Sequence, residues 1–172
     1  MKKNRNRKKG FTLVETLISV LILLLLTALT ARGVSVAVKA YVDVVNSANA
    51  QLLLSTTISE IRDELSTATD IIIEDDAITY LSSKTGDESI IGKYSGTEYE
   101  NGSIVITEYV NNSSGSKTRL LVSKEASNKN LFCTYEMVKY NDGLVRFTNL
   151  VVKKIGSDES LAKLEEYVLK VG

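Results

Sequence analysis

Hydrophobic positions divide the chain into two regimes. From Phe11 to Ala31 the sequence is apolar except for Glu15 and five hydroxyl residues, a run of 21 residues. As helix that run spans about 31 Å, matching the hydrocarbon thickness of a bilayer. Val34 to about Ala68 reads as the same helix continued into water. Within it Leu54, Ile58, Ile61, Leu65 and Ala68 advance in alternating steps of four and three, forming one apolar stripe. Glu60, Arg62, Asp63 and Glu64 lie off that stripe, and a sheet from the same chain is expected to cover it. Val36 to Val45 is apolar more nearly all round, which suits packing against neighbouring helices. Unbroken from Phe11 to Ala68, the helix would be about 87 Å long.

After Ala68 the period changes to the alternation of strands. The expected strands are Asp70 to Glu74, Ala77 to Leu81, Ser103 to Val110, Thr118 to Ser123, Leu131 to Tyr140 and Leu144 to Lys153. Asn101-Gly102 and Asn141-Asp142-Gly143 supply hairpin chemistry, because these residues tolerate positive φ. Asn111 to Lys117 reads as a polar loop, and Ser82 to Glu100, rich in Gly, Ser and Tyr, is the least regular stretch. Near the end, Ser157 is placed to cap a short helix starting at Asp158-Glu159, with Tyr167 to Val171 closing as a strand. The pattern predicts an α+β fold: a long N-terminal helix against a C-terminal antiparallel sheet. Its segments are a basic stub (1–10), a membrane-length helix (11–33), an amphipathic continuation (34–68) and a globular sheet domain (69–172).

Charge gives the membrane segment a direction. Residues 1–10 hold six basic residues and no acid. The positive-inside rule therefore puts the N-terminus in the cytoplasm and everything after Arg32 across the membrane. The formal net charge of zero conceals this split. Without the first ten residues, 15 basic residues face 21 acids, a balance of minus 6. So acidic an exported part disfavours a broad nucleic-acid surface. A signal peptide would have a shorter apolar core ending in small residues, which Thr27-Ala28-Leu29 and Ala31-Arg32-Gly33 fit poorly. A plain anchor accounts for the length and leaves Glu15 unexplained, since an acid deep in a bilayer costs about 2.5 to 3.5 kcal/mol.

Lys9-Gly10-Phe11-Thr12-Leu13-Val14-Glu15-Thr16-Leu17-Ile18 resembles the leader junction of type IV pilins and of the pseudopilins of type II secretion and DNA-uptake systems. The resemblance implies cleavage between Gly10 and Phe11 by a membrane prepilin peptidase on the cytoplasmic side, then N-methylation of the Phe11 amine. It also implies that Glu15 pairs with the N-terminal amine of a neighbouring pilin or pseudopilin subunit. Such a pair at about 4 Å and an effective dielectric near 20 is worth about 4 kcal/mol before desolvation, comparable with the insertion cost of the acid. A platform protein and an assembly ATPase would then move subunits from membrane lipid into a periplasmic or surface filament. Members of the family commonly carry a proline near the end of the apolar helix; this chain has none and offers Arg32-Gly33 there. Gly33 weakens a helix by about 1 kcal/mol relative to Ala, which permits a bend there without demanding one. The layout from Leu52 to Ile73 resembles the larger minor pseudopilins of the filament tip.

No enzymatic constellation is expected. The chain lacks histidine, the usual general base and a common metal ligand. Gly86 to Tyr94 superficially suggests a phosphate loop, but five residues separate its glycines and Tyr94 stands where Ser or Thr is needed; it reads as a turn and short strand. Cys133 is the lone cysteine, expected as a buried small hydrophobe, with an intersubunit disulfide as the alternative. Asp75-Asp76, Asp87-Glu88 and Asp142 lack the spacing of a calcium loop and read as solvated acids, so neither metal nor cofactor is expected. Asn112-Ser113-Ser114 fits a glycosylation sequon. Two other classes compete: a membrane-anchored extracellular binding or sensor domain, which predicts an uncut chain and a dispensable Glu15, and a secreted hydrolase with a carboxylate cleft.

Overall fold

A computed structural model describes residues 12–109, 115–123 and 130–171. The expected cleavage residues Gly10 and Phe11 lie outside the described residues, as does the Asn112 sequon. Helix α1 (Leu13–Leu65) is followed by β1 (Thr69–Glu74), β2 (Ala77–Leu81), β3 (Glu88–Lys93), β4 (Ile104–Tyr109), β5 (Ser116–Leu120), β6 (Leu131–Thr134), β7 (Met137–Asn141), β8 (Leu144–Lys154) and β9 (Ser160–Lys170). The α+β class expected from the pattern is the one observed. The chain divides into two units between Val44 and Val45.

The first unit contains α1 up to Val44. Its apolar side chains are exposed on every side, from Leu13 through Leu29 to Val44. The hydroxyls in this stretch bond back into their own helix, Thr16 to the Leu13 carbonyl, Ser19 to that of Glu15 and Thr27 to that of Leu24, at 2.7–2.9 Å. These bonds satisfy polar groups that hydrocarbon would otherwise leave unpaired.

The second unit holds the core. Strands β1 to β5 form an antiparallel meander in sequence order, and β8 pairs with β6, β7 and β9 in a second antiparallel sheet. Ala50, Leu53, Ile61 and Leu65 of α1 join Ile78, Tyr80, Ile91 and Ile106 of the first sheet and Val145, Phe147, Leu150 and Val152 of the second in one buried cluster. Phe147 is fully buried, with the Tyr135 ring edge-on at 5.3 Å and Tyr167 beyond it at 6.3 Å. The buried line of the helix starts at Ala50 and runs through positions one residue earlier than the first two of the apolar stripe. Leu53 and Thr57 are buried, whereas Leu54 and Ile58 are half-buried flanks. Thr57 is tolerated there because its hydroxyl donates to the Leu53 carbonyl at 2.8 Å.

Two local readings change in the structure, and a third stretch behaves as expected. The expected strand Leu131 to Tyr140 is two strands, because Tyr135 and Glu136 interrupt the ladder opposite Asn149, which has φ 51°. That irregularity reverses the alternation: Leu131, Cys133 and Tyr135 are buried, then Val138, so Met137 faces out. The expected short helix after Ser157 is instead the start of β9. Ser157 Oγ does accept the Glu159 amide at 3.2 Å, as a cap would, but pairing along β8 holds the following chain extended. Within Ser82 to Glu100 a further strand forms, β3, preceded by Gly86 at φ 72°, which agrees with the turn and short strand expected there.

Asp142-Gly143 makes the expected hairpin turn, with φ 51° and 74° and Asn141 opposite Leu144. Asp75-Asp76 does the same between β1 and β2, with φ 48° and 61°. This turn role was hidden in the sequence because both positions are acids without glycine. A negative side chain that tolerates the left-handed region serves nearly as well.

Candidate assembly site

Thr12 stands immediately before α1 and Glu15 three positions later, the spacing of a capping box. Both the Thr12 amide and its hydroxyl donate to Glu15 Oε2 at 3.0 Å, and the Glu15 amide donates back to Thr12 Oγ1 at 3.3 Å. The first turn closes with the Thr16 amide on the Thr12 carbonyl at 3.2 Å. An acid at this end also opposes the positive pole of the helix. Oε2 takes both bonds, while Oε1 accepts none among the described residues. The carboxylate is thus oriented by its own chain with one oxygen left for another donor. Leu13, Val14, Leu17 and Ile18 around it are all exposed.

Helix α1 is long and apolar enough to cross a membrane, by length and composition. It runs through Gly33 without interruption, and no side chain or backbone approaches that glycine. A scan against protein-family models matches the prokaryotic N-terminal methylation motif to residues 5–31. The chain carries a prepilin-type methylation motif. The match supports the type IV pilin and pseudopilin family, whose members are structural subunits processed by prepilin peptidase. No curated protein and no solved structure matches the chain.

Polar groups of the second unit tie its elements together. Glu64, which lies off the apolar stripe in the sequence, is buried. Lys84 Nζ lies 3.0 Å and Arg119 Nη2 3.6 Å from its Oε1, and the Tyr80 hydroxyl donates to Oε2 at 3.4 Å. Arg119 also reaches Glu108 at 3.2 Å. Burial, then the Glu64 charge, pushes the Tyr80 phenol above its ordinary range. The network ties the end of α1 to β2 and β5. No helical periodicity could reveal it, because Lys84 and Arg119 come from distant loop and strand positions.

Cys133 is buried, as expected, beside Thr57 and Leu131 in an apolar pocket of about 60 Å³. Burial pushes its thiol up to about 12, which keeps it protonated and unreactive at neutral pH. Asp76 accepts from Lys93 at 3.3 Å, and its carbonyl accepts the Tyr135 hydroxyl. Among the described residues no three His, Cys, Asp or Glu side chains converge on a point that could hold a metal.

Proposed function

We propose that the protein is a structural subunit of a type IV pilus-like or type II secretion pseudopilus-like filament. In this reading prepilin peptidase cuts between Gly10 and Phe11, the new Phe11 amine is methylated, and Glu15 pairs with that amine on a neighbouring subunit. Before assembly α1 anchors the chain, with the N-terminus cytoplasmic and the second unit outside. A platform protein and an assembly ATPase act in extraction, and no catalytic residue or cofactor is invoked. A minor, filament-initiating place is the finer form of this reading, from the Leu52–Ile73 layout. The chain supplies both halves of the pair, so it can also adjoin a copy of itself.

The observation that carries the reading is the bonding of Glu15. A carboxylate is the only ionisable group between Phe11 and Ala31, and it is preoriented at the first turn with Oε1 free among the described residues. Its Thr12 bonds keep it satisfied in the lone subunit, and an ammonium group supplies a stronger, charge-assisted partner. Pairing between subunits would let a group that is costly in hydrocarbon set the register of the filament.

The test is replacement of Glu15 by Leu. Cleavage and membrane insertion should persist while filament yield collapses; normal yield overturns the pairing. N-terminal sequencing of the native protein should start at methylated Phe11. A start at Met1 supports a permanently anchored binding domain, and a start beyond Ala31 supports secretion.

A further inference from the structure

The exposed first unit carries a second acid and base with the same spacing as the proposed pair. Between Ala31 and Val45 the charged residues are Arg32, Lys39 and Asp43. Lys39 and Asp43 are exposed among Val36, Val38, Tyr41, Val42 and Val44, which are 46–70% exposed. Neither charge has an ion-pair partner among the described residues. Within one helix the base precedes the acid by four positions, the weaker of the two orders for an intrahelical pair.

From these placements we infer that Asp43 pairs with Lys39 of a second copy of this chain, at a second contact along the same helix seam. The inference rests on the Glu15 pairing proposed above. To bring Glu15 of one copy level with the Phe11 amine of the next, parallel helices must be offset by four residues, about 6 Å along the axis. That offset brings Asp43 of the first copy level with Lys39 of the second, because 43 stands to 39 as 15 stands to 11. The two contacts lie 28 positions apart on each helix. In a left-handed supercoil of period 3.5 that distance is a whole number of heptads, so both contacts fall on one seam. In straight helices the drift is about 20° per heptad, or about 80° in all, a rotation that the long Lys39 side chain helps to span.

The arrangement is charge-complementary and selective for register. Parallel neighbours with no offset would set Glu15 against Glu15, Lys39 against Lys39 and Asp43 against Asp43, whereas the four-residue offset sets an acid against a base at both contacts. Each charge also sits among apolar side chains that the neighbouring helix would cover. Leaving either unpaired in such a contact would be costly, and a cross-helix ion pair offsets that cost.

The test uses the full-length protein assembled in cells. Lys39→Glu alone and Asp43→Lys alone should each lower filament yield about tenfold, since each sets like charges level across the contact. Co-expressed, the two variants should restore most of the yield, because a chain with acids at both positions then alternates with a chain with bases at both. An intrahelical role predicts no such rescue, as each variant helix keeps its own repulsion. In a Cys133→Ser background, chains carrying Lys39→Cys and chains carrying Asp43→Cys should form disulfide-linked dimers when their filaments are oxidised. Wild-type yield from both single variants, or failure of rescue and of cross-linking, overturns the inference. Glu15→Leu, run in parallel, separates the two readings. If it blocks assembly while the Lys39 and Asp43 variants assemble normally, only the second contact fails; if it assembles normally, the Glu15 pairing itself fails. N-terminal sequencing and membrane fractionation of every variant establish that it was made, cut and inserted.

Discussion

The two units of this chain bury apolar surface by different means. From Val45 onward, Ile61, Leu65, Phe147 and Leu150 are wholly hidden by other parts of the same chain. Up to Val44, comparable side chains such as Leu21 and Leu24 remain 56% and 60% exposed. Water would drive both sets inward at about 25 cal/mol per Å². Only the second set finds its cover within the chain; the first requires lipid or other helices. In the first unit, therefore, hydroxyls bond to their own backbone and Glu15 to its own cap. In the second, polar groups such as Glu64 bond across elements.

The sharpest way to break this comparison is Phe147→Ala. Loss of a fully buried ring with two aromatic neighbours should destabilise the second unit by about 3 to 5 kcal/mol, while membrane insertion of α1 is unchanged. Thermal unfolding followed by near-UV circular dichroism, alongside membrane fractionation, checks both halves. If insertion failed together with folding, the units would not be energetically separate.

Glu64→Ala should cost less, about 1 to 2 kcal/mol. The carboxylate is buried, but Lys84 and Arg119 are 52% and 40% exposed and can return to water. Denaturant unfolding of Glu64→Ala and Lys84→Ala, singly and together, measures the coupling; strict additivity would show that the network does not act as a unit.

Thr12→Val removes the cap and should weaken the first turn of α1 by about 1 kcal/mol. The expected readout is faster amide exchange confined to the first turn. Protection identical to that of the parent chain would show that the capping box contributes nothing.

The smallest effect near neutral pH concerns Cys133. Its thiol is raised to about 12 in the folded state from 9.0. The stability linked to its proton is fully present below about 9 and is lost as pH climbs from there through about 12. At pH 8.5 iodoacetamide should label Cys133 only when the second unit unfolds. Rapid labelling of the native protein would mean that the pocket opens without global unfolding.

Much of this architecture was legible in the chain. The β2 limits Ala77–Leu81 and the Asp142-Gly143 hairpin depend on local periodicity and turn chemistry, and they appear where those signals place them; the helix forms too, but ends at Leu65, three residues short of Ala68. Glu15 stood out for a similar reason, as the one acid in an apolar run, whereas its bonds to Thr12 were not foreseen. The misreadings share the opposite cause. Ser157 carries a valid local cap signal, but β8 offers a long partner strand and the chain stays extended. Leu131 to Tyr140 alternates as one strand until Asn149, on another strand, adopts positive φ and reverses the faces. Glu64 lies off the apolar stripe, and its burial follows only when Lys84 and Arg119 arrive from elsewhere in the chain.

By itself the sequence determined the membrane-length helix, its one-sided charge, the motif at residues 5–31 and the separation of helix from sheet. Each is carried by neighbours along the chain, within one helical turn, one strand or one charge run. The tertiary structure decided which line of α1 is buried, where the β6–β7 break falls, that the last segment is a strand, and that Glu64 has partners. These depend on contacts between residues far apart in the chain, whose energies are comparable with local preferences and so can reverse them.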